Sequence, residues 1–238
     1  MAVITVSDSV KNIKGAEYVA NSVKELVSGA GGGAVVKDEG GRVTVKISCP
    51  DRFKEVVRAE TLDKVADVVA IYYKYDYFKT AVNLYGLTPE EKEILFTGLI
   101  AADLEDDKKY AAARLGLKEE ISVDGVFNFM LIPLKRKWED VASYLPSRFK
   151  GEQLKDFMTY LLERKSKRVY VDSGRVYDWH FRRLKRSDLL SGENIKIVRE
   201  VLLSNCGEVE LSGNLPERDE KYLKEYYGDK VFFSKSDR

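Results

Sequence analysis

The segment VYDWHFRRLKRSD, Val176 to Asp188, gathers most of the side chains in this chain that could do chemistry. It holds His180, the single histidine, with Asp178, Trp179, Arg182, Arg183, Lys185 and Arg186 around it. An imidazole near a carboxylate can act as a general base, and beside a nucleophile it can centre a hydrolase. Clustered cations can instead hold a phosphate or a polyanion, with Trp179 and Phe181 at hand for stacking. From Arg148 to Arg186 there are twelve lysines and arginines against five acids. The whole chain carries only +1, so this basic excess is local. Four cations lie within the five residues Arg182 to Arg186, and they repel one another. An anionic partner, an acidic face of the same chain or plain hydration would relieve that repulsion. Trp179, His180, Arg182, Arg183, Lys185 and Arg186 are therefore the candidate anion- or nucleic-acid-binding residues.

Other chemistries find less material. No G-x-S-x-G elbow accompanies His180, and Cys206 follows an expected helix end next to Gly207. The glycines of SGAGGGAVV (Gly29, Gly31, Gly32, Gly33) suggest a phosphate loop. Such a loop needs a strand before it and a helix after it. Here the order is helix then strand, which predicts a plain connection. One histidine and two distant cysteines make no standard zinc site. The acidic run Asp103, Glu105, Asp106, Asp107 lacks the glutamate that closes a calcium loop, since position twelve is Arg114. It reads as a solvated helix boundary. No catalytic residue, metal or cofactor is assigned. The aromatic run IYYKYDYF places rings around most of a helix, so it reads first as core and second as partner contact.

The elements that must position these residues fall into three regions. At 44% hydrophobic and 33% charged residues, the 238-residue chain has the composition of a folded protein. The most apolar stretch, VADVVAIYYKYDYF, is interrupted by Asp67, Lys74 and Asp76, which argues against membrane insertion. The start MAVITVSDS lacks a basic leader. Cys49 and Cys206 read as buried reduced thiols, and the expected location is cytoplasmic.

Residues 1–58 read as a β-α-β-β unit: a strand at 2–6, a helix at 9–28, and a hairpin turning at DEGG, where Gly40 and Gly41 allow positive φ. Residues 59–166 read as a helical bundle. LTPEEKEILF carries the signature of a helix start, with Thr88 as N-cap, Pro89 in the first turn and Glu91 at the capping-box position. Residues 167–238 read as β-β-α-β-α-β. Their opening hairpin is RVYV-DSG-RVYD with a three-residue loop, a helix runs from Ser191 through Asn205, and the last residues, KSDR, fray. The fold class is α+β, and the N- and C-terminal strands could share one sheet.

The segment ISVDGVFNFML, Ile121 to Leu131, adds a resemblance. Its apolar–x–apolar–Asp–Gly lead, followed by Phe129 and Leu131, resembles the YtxC-like family of spore-forming bacteria. The order of FMTYLLERKS, RVYVDSGRVYD, NIKIVREVLL, GEVELSG and YLKEYYGDKVFF is similar too, and so is YYKYDYFKTAVNLYGLTPEEKEILF upstream. The likeness covers roughly residues 65 to 233, in pattern more than identity. The family commonly has a basic residue where Met130 stands and a histidine where Ser212 stands, so a site built on those two would be missing. The family is described as sporulation-associated and has no established activity. The resemblance therefore implies a cellular setting and no catalytic residue.

The leading expectation is a non-enzymatic protein-interaction or regulatory module that binds a protein partner or self-associates. The first alternative is nucleic-acid or polyanion binding through residues 182–186. The second is a hydrolase-type enzyme using His180.

Overall fold

The computed structural model describes residues 1–117, 120–163 and 165–234; the closing KSDR lies outside them. The chain is α+β. Its contacts divide it into two units, one of Met1–Asp76 with Glu105–Val141, the other of Tyr77–Leu104 with Ala142–Arg238. The expected segments of 1–58, 59–166 and 167–238 differ from this division. The helices of the middle region are shared between the units, because each sheet needs helices over its apolar face.

In the first unit, β1 (Ala2–Ser9) buries Ile4, Val6 and Asp8 and turns the alternate residues outward. With β2 (Gly33–Asp38), β3 (Arg42–Cys49) and β4 (Ile121–Ser122) it forms a sheet of order β2-β3-β1-β4. β1 runs antiparallel to β3 and parallel to β4. The β2–β3 hairpin turns at Gly40 and Gly41, with φ of +66° and +95°, as DEGG predicts. Helix α1 (Ile13–Gly29) lies on β2 and β3 and buries Ala16, Val19, Val23 and Val27. A short 3₁₀ turn, Val10–Asn12, precedes it, so the helix begins four residues later than expected. The glycine cluster is the expected helix-to-strand connection. At Gly32 an added Cβ would meet the Ser48 carbonyl, so only glycine fits there.

Helix α2 (Lys54–Asp67) continues through a π-helical turn, Val68–Tyr73, into α3 (Lys74–Ala81). The wider turn changes the phase of the residues that follow it. The aromatic run is core as expected at Tyr75 and Phe78. Lys74, in the middle of that run, is also buried. It forms a 2.8 Å ion pair with Asp107 of α5 (Leu104–Leu115), and both side chains are 1% exposed. Trp138 of α7 (Ile132–Ser143) donates its Nε1–H to the same carboxylate at 2.9 Å, and Lys137 reaches it from the rim at 2.7 Å. The acidic run is thus not wholly solvated: Asp107 turns inward because three donors meet it there. Nearby, Asp67 faces Lys108 at 2.7 Å and accepts the Tyr18 hydroxyl at 3.1 Å. Helix α6 (Val123–Phe129) completes the unit and sets Phe127 against the Tyr73 ring.

In the second unit, α4 (Pro89–Ala102) starts with the expected capping box. Thr88 Oγ1 accepts the Glu91 N–H at 3.2 Å, and Glu91 accepts the Thr88 N–H at 2.8 Å. Helix α8 (Gly151–Glu163) packs on α4. Then follow β5 (Arg168–Asp172), β6 (Arg175–Tyr177), α9 (Lys196–Leu203), β7 (Glu208–Ser212), α10 (Glu217–Tyr227) and β8 (Val231–Phe233), the predicted order. The strands form a second sheet, β6-β5-β7-β8, distinct from the first. β5 is antiparallel to β6 and parallel to β7, and β7 is parallel to β8. Val169, Val171, Val176, Val209 and Leu211 are buried, and α9 and α10 pack on the sheet. Two local expectations are corrected. The β5–β6 loop has two residues rather than three, Ser173 and Gly174, with φ of +48° and +77°. The helix expected from Ser191 to Asn205 spans only Lys196–Leu203. Positive φ at Gly192 and Ile195 breaks its start, and the buried Arg199 guanidinium holds the carbonyls of Ser191 and Gly192. Asp219 of α10 caps it instead, accepting the Val198 N–H at 2.9 Å.

Cys49 and Cys206 are both buried free thiols. Among the described residues, no helix is long and apolar enough to cross a membrane.

The Lys74–Asp107 pair sets a test. Asp107→Asn leaves a buried ammonium without its counter-charge and should cost about 3–5 kcal/mol in denaturant titrations. Lys137→Ala removes an exposed partner of the same carboxylate and should cost less than about 1 kcal/mol. Burial alone would raise the Asp107 carboxyl, but the Lys74 charge and the bonds from Lys137, Lys74 and Trp138 hold it below the usual carboxylate range. A depressed folded value contributes stability above the ordinary aspartate range, and that stability is lost as pH falls through the folded value. The wild-type advantage over Asp107→Asn should therefore shrink on acidification.

Candidate anion-binding site

β6 is an edge strand of the second sheet, and the candidate segment begins in it and continues beyond Tyr177. The segment turns and runs back along β6 rather than leaving as an open connection. Tyr177 bridges Arg183 antiparallel, the Leu184 N–H donates to the Val176 carbonyl at 2.8 Å, and the Asp178 N–H donates to the Arg182 carbonyl at 3.0 Å. This ribbon puts the two basic residues Arg183 and Lys185 beside Tyr177 and Arg175. Val176 lies on the opposite face and is buried.

Asp178 makes the turn. Its Oδ1 accepts the N–H groups of His180 and Arg182, each at 2.9 Å, and its Oδ2 accepts Arg182 Nε at 2.9 Å. Partial burial acts to raise the Asp178 carboxyl, but these donors outweigh it and hold the group below the usual range. A short side chain that bonds to backbone two residues ahead is how aspartate nucleates turns. Phe181 sits in this turn at φ +59°, a region that bulky residues rarely adopt. Its ring stacks on Tyr170 of β5, with centroids 4.7 Å apart and planes 21° apart. Trp179 is 59% exposed and His180 is exposed beside it.

The candidate residues therefore separate. Arg183 and Lys185 line a cleft of about 70 Å³ together with Arg175, Lys196, Ser187 and Glu200. Arg182 is paired with Asp178 at 2.8 Å. Arg186 is not part of an open strip. Its backbone N–H donates to Glu200 at 2.9 Å and its guanidinium to the Leu203 carbonyl at 3.2 Å, so it ties the segment to α9. Within the cleft, Lys196 is neutralised by Asp188 at 2.8 Å. Glu200 is spent on the N–H groups of Arg186 and Ser187, the latter at 2.6 Å. Burial pushes its carboxyl up, and these bonds only partly offset that. Among the described residues, Arg175, Arg183 and Lys185 make no ion pair. Arg175 was missed from sequence because it lies on the strand before the loop. The alternation in RVYVDSGRVYD already placed it on the same face as Tyr177.

The arrangement offers a hydrolase little. The His180 imidazole makes no hydrogen bond among the described residues, and only the Asp178 carboxylate, already committed to the turn, lies nearby in sequence. Cys206 is buried against Val201 and Tyr227, and burial raises its thiol, so it forms no pair with the exposed histidine. The cleft is well short of the roughly 300 Å³ at which small-molecule pockets begin. Among the described residues, no group of three His, Cys, Asp or Glu side chains could hold a metal ion.

The Asp178 turn is testable on its own. Trp138 is fully buried and Trp179 is exposed, so solvent-accessible tryptophan emission reports on the turn. Asp178→Ala should lower the anisotropy of that emission. Arg182→Ala removes an exposed ion pair, should leave the turn ordered and should cost under about 1 kcal/mol.

Compared with known proteins, the chain matches no protein-family model, no curated protein and no solved structure.

Proposed function

We propose that this protein is a non-enzymatic binding module whose ligand presents phosphate or a similar anionic group to Arg175, Arg183 and Lys185. One observation carries this: four cations line a single cleft at the sheet edge, and while Lys196 is paired with Asp188, Arg175, Arg183 and Lys185 make no ion pair among the described residues. Like charges held close together without counter-ions cost free energy, which an anionic ligand would recover. The cleft is too small to enclose a whole ligand and suits anionic groups carried by a larger partner, in keeping with a module that interacts rather than catalyses. The likeness to YtxC-like proteins supports a sporulation programme as its setting.

Titration with inorganic polyphosphate tests the proposal. Binding should weaken steeply with salt, and with three contacts the slope of log K against log salt should be about −2 to −3. Replacing Arg183 and Lys185 together by glutamate should reduce affinity by tenfold or more. Salt-insensitive binding, or a double variant that binds like the parent, would overturn it.

A further inference from the structure

The outer face of the second sheet carries more than charge. Burial alternates along β5 and β6, so Tyr170 and Tyr177 stand on the face turned away from Val169, Val171 and Val176. Register places Tyr170 directly opposite Tyr177. The ribbon pairing then sets Arg183 beside Tyr177, and the Asp178 turn folds Phe181 back onto Tyr170. Trp179, in the same turn, is 59% exposed and lies against the His180 ring. Bulky residues at positive φ are held there only when their surroundings demand it, and such strain concentrates at functional positions. What holds Phe181 is a carboxylate with three donors, all within five residues. The turn is thus built to fix aromatic rings beside cations at the margin of a sheet.

We infer that this face binds single-stranded nucleic acid. This rests on the anion-binding proposal above and names the ligand class. Proteins that bind single strands combine a positive track for the phosphates with exposed rings on which bases stack. Four-stranded sheets that present aromatics on an open face are a recurrent form of this platform. Here the phosphates would follow Arg175, Arg183 and Lys185 along β6 and its returning ribbon. The bases would lie over Tyr177 and Trp179. The far side of the face is closed to phosphate. Glu208 and Glu210 stand on β7, bound by Arg168 at 2.7 Å and 3.3 Å. The charge therefore changes sign across the sheet, and one strand of nucleic acid is confined to the β6 margin. A duplex hides its bases and offers nothing to the rings.

The test uses the intact chain and four probes at low salt: a thymidine dodecamer, a uridine dodecamer, an abasic dodecamer with the same phosphates, and inorganic polyphosphate. A base-bearing single strand should quench the emission of Trp179, which is separable from that of the fully buried Trp138. It should also bind at least tenfold more tightly than the abasic strand, since stacking contributes roughly 1–3 kcal/mol per base, about five- to hundredfold. Either dodecamer meeting both conditions supports the inference, and the two together report the sugar preference. Tyr177→Ala with Trp179→Ala should remove that advantage and leave polyphosphate affinity unchanged. Equal affinity for base-bearing and abasic strands would overturn the inference while leaving anion binding standing. Tighter binding to a duplex of the same sequence would also overturn it. Failure to bind any probe, polyphosphate included, would overturn both proposals. Circular dichroism of each variant confirms that a loss reflects the surface and not the fold.

Discussion

A carboxylate withdrawn from water must be met by donors, and both units of this protein are organised around that constraint. In the first, Asp107 is answered by Lys74, Lys137 and Trp138, and Asp67 by Lys108 and Tyr18. These contacts tie α1, α5 and α7 to the long helix that begins at Lys54. In the second, Glu200 takes the N–H groups of Arg186 and Ser187, and Asp219 caps the start of α9. Apolar packing supplies most of the stabilisation in each unit, but it is tolerant of sliding. The carboxylates are not, because an unanswered buried charge is far more costly than a small misfit between methyl groups.

The same constraint shapes the candidate site by subtraction. The acids of the segment and its cleft are engaged: Asp178 holds the turn, Asp188 neutralises Lys196, and Glu200 anchors the following backbone, while the exposed Asp172 stands across from Arg175 and accepts, among the described residues, only the Ser173 hydroxyl. Arg182 and Arg186 are consumed in these arrangements. Arg175, Arg183 and Lys185 remain, together on one margin, next to rings that the turn holds in place. The basic excess concentrated between Arg148 and Arg186 narrows to three cations without an ion pair among the described residues, at one sheet edge. The His180 imidazole makes no hydrogen bond to a carboxylate among the described residues, and the nearby Asp178 carboxylate is committed to the turn.

Much of the architecture could be read directly. Val43, Val45 and Ile47 alternate and are buried. Thr88, Pro89 and Glu91 make the helix start they spell. Gly40 and Gly41 turn the first hairpin. These signals are local, and local backbone preferences survive folding. The errors have one origin, which is competition from residues distant in sequence. Ser191 has the chemistry of an N-cap, but Arg199 engages its carbonyl and Asp219, twenty-one residues beyond Val198, caps the helix. Asp107 sits in a run of acids that looks solvated, yet Lys74, thirty-three residues earlier, draws it inside. Ser173 adopts positive φ and shortens a loop that DSG seemed to lengthen.

By itself the sequence determined the α+β class, the order of elements in the N-terminal and C-terminal regions, the buried face of the strand carrying Val43, Val45 and Ile47, and the concentration of positive charge near the second hairpin. All of these follow from residue spacing against the periods of strand and helix. The tertiary structure alone decided how the middle helices are divided between two sheets, and which of six candidate side chains remain available. That second decision turns on distances of about 3 Å between groups that pairing and packing bring together, such as Glu200 with Ser187 or Tyr170 with Phe181. Periodicity says which way a side chain points. It cannot say what is waiting there.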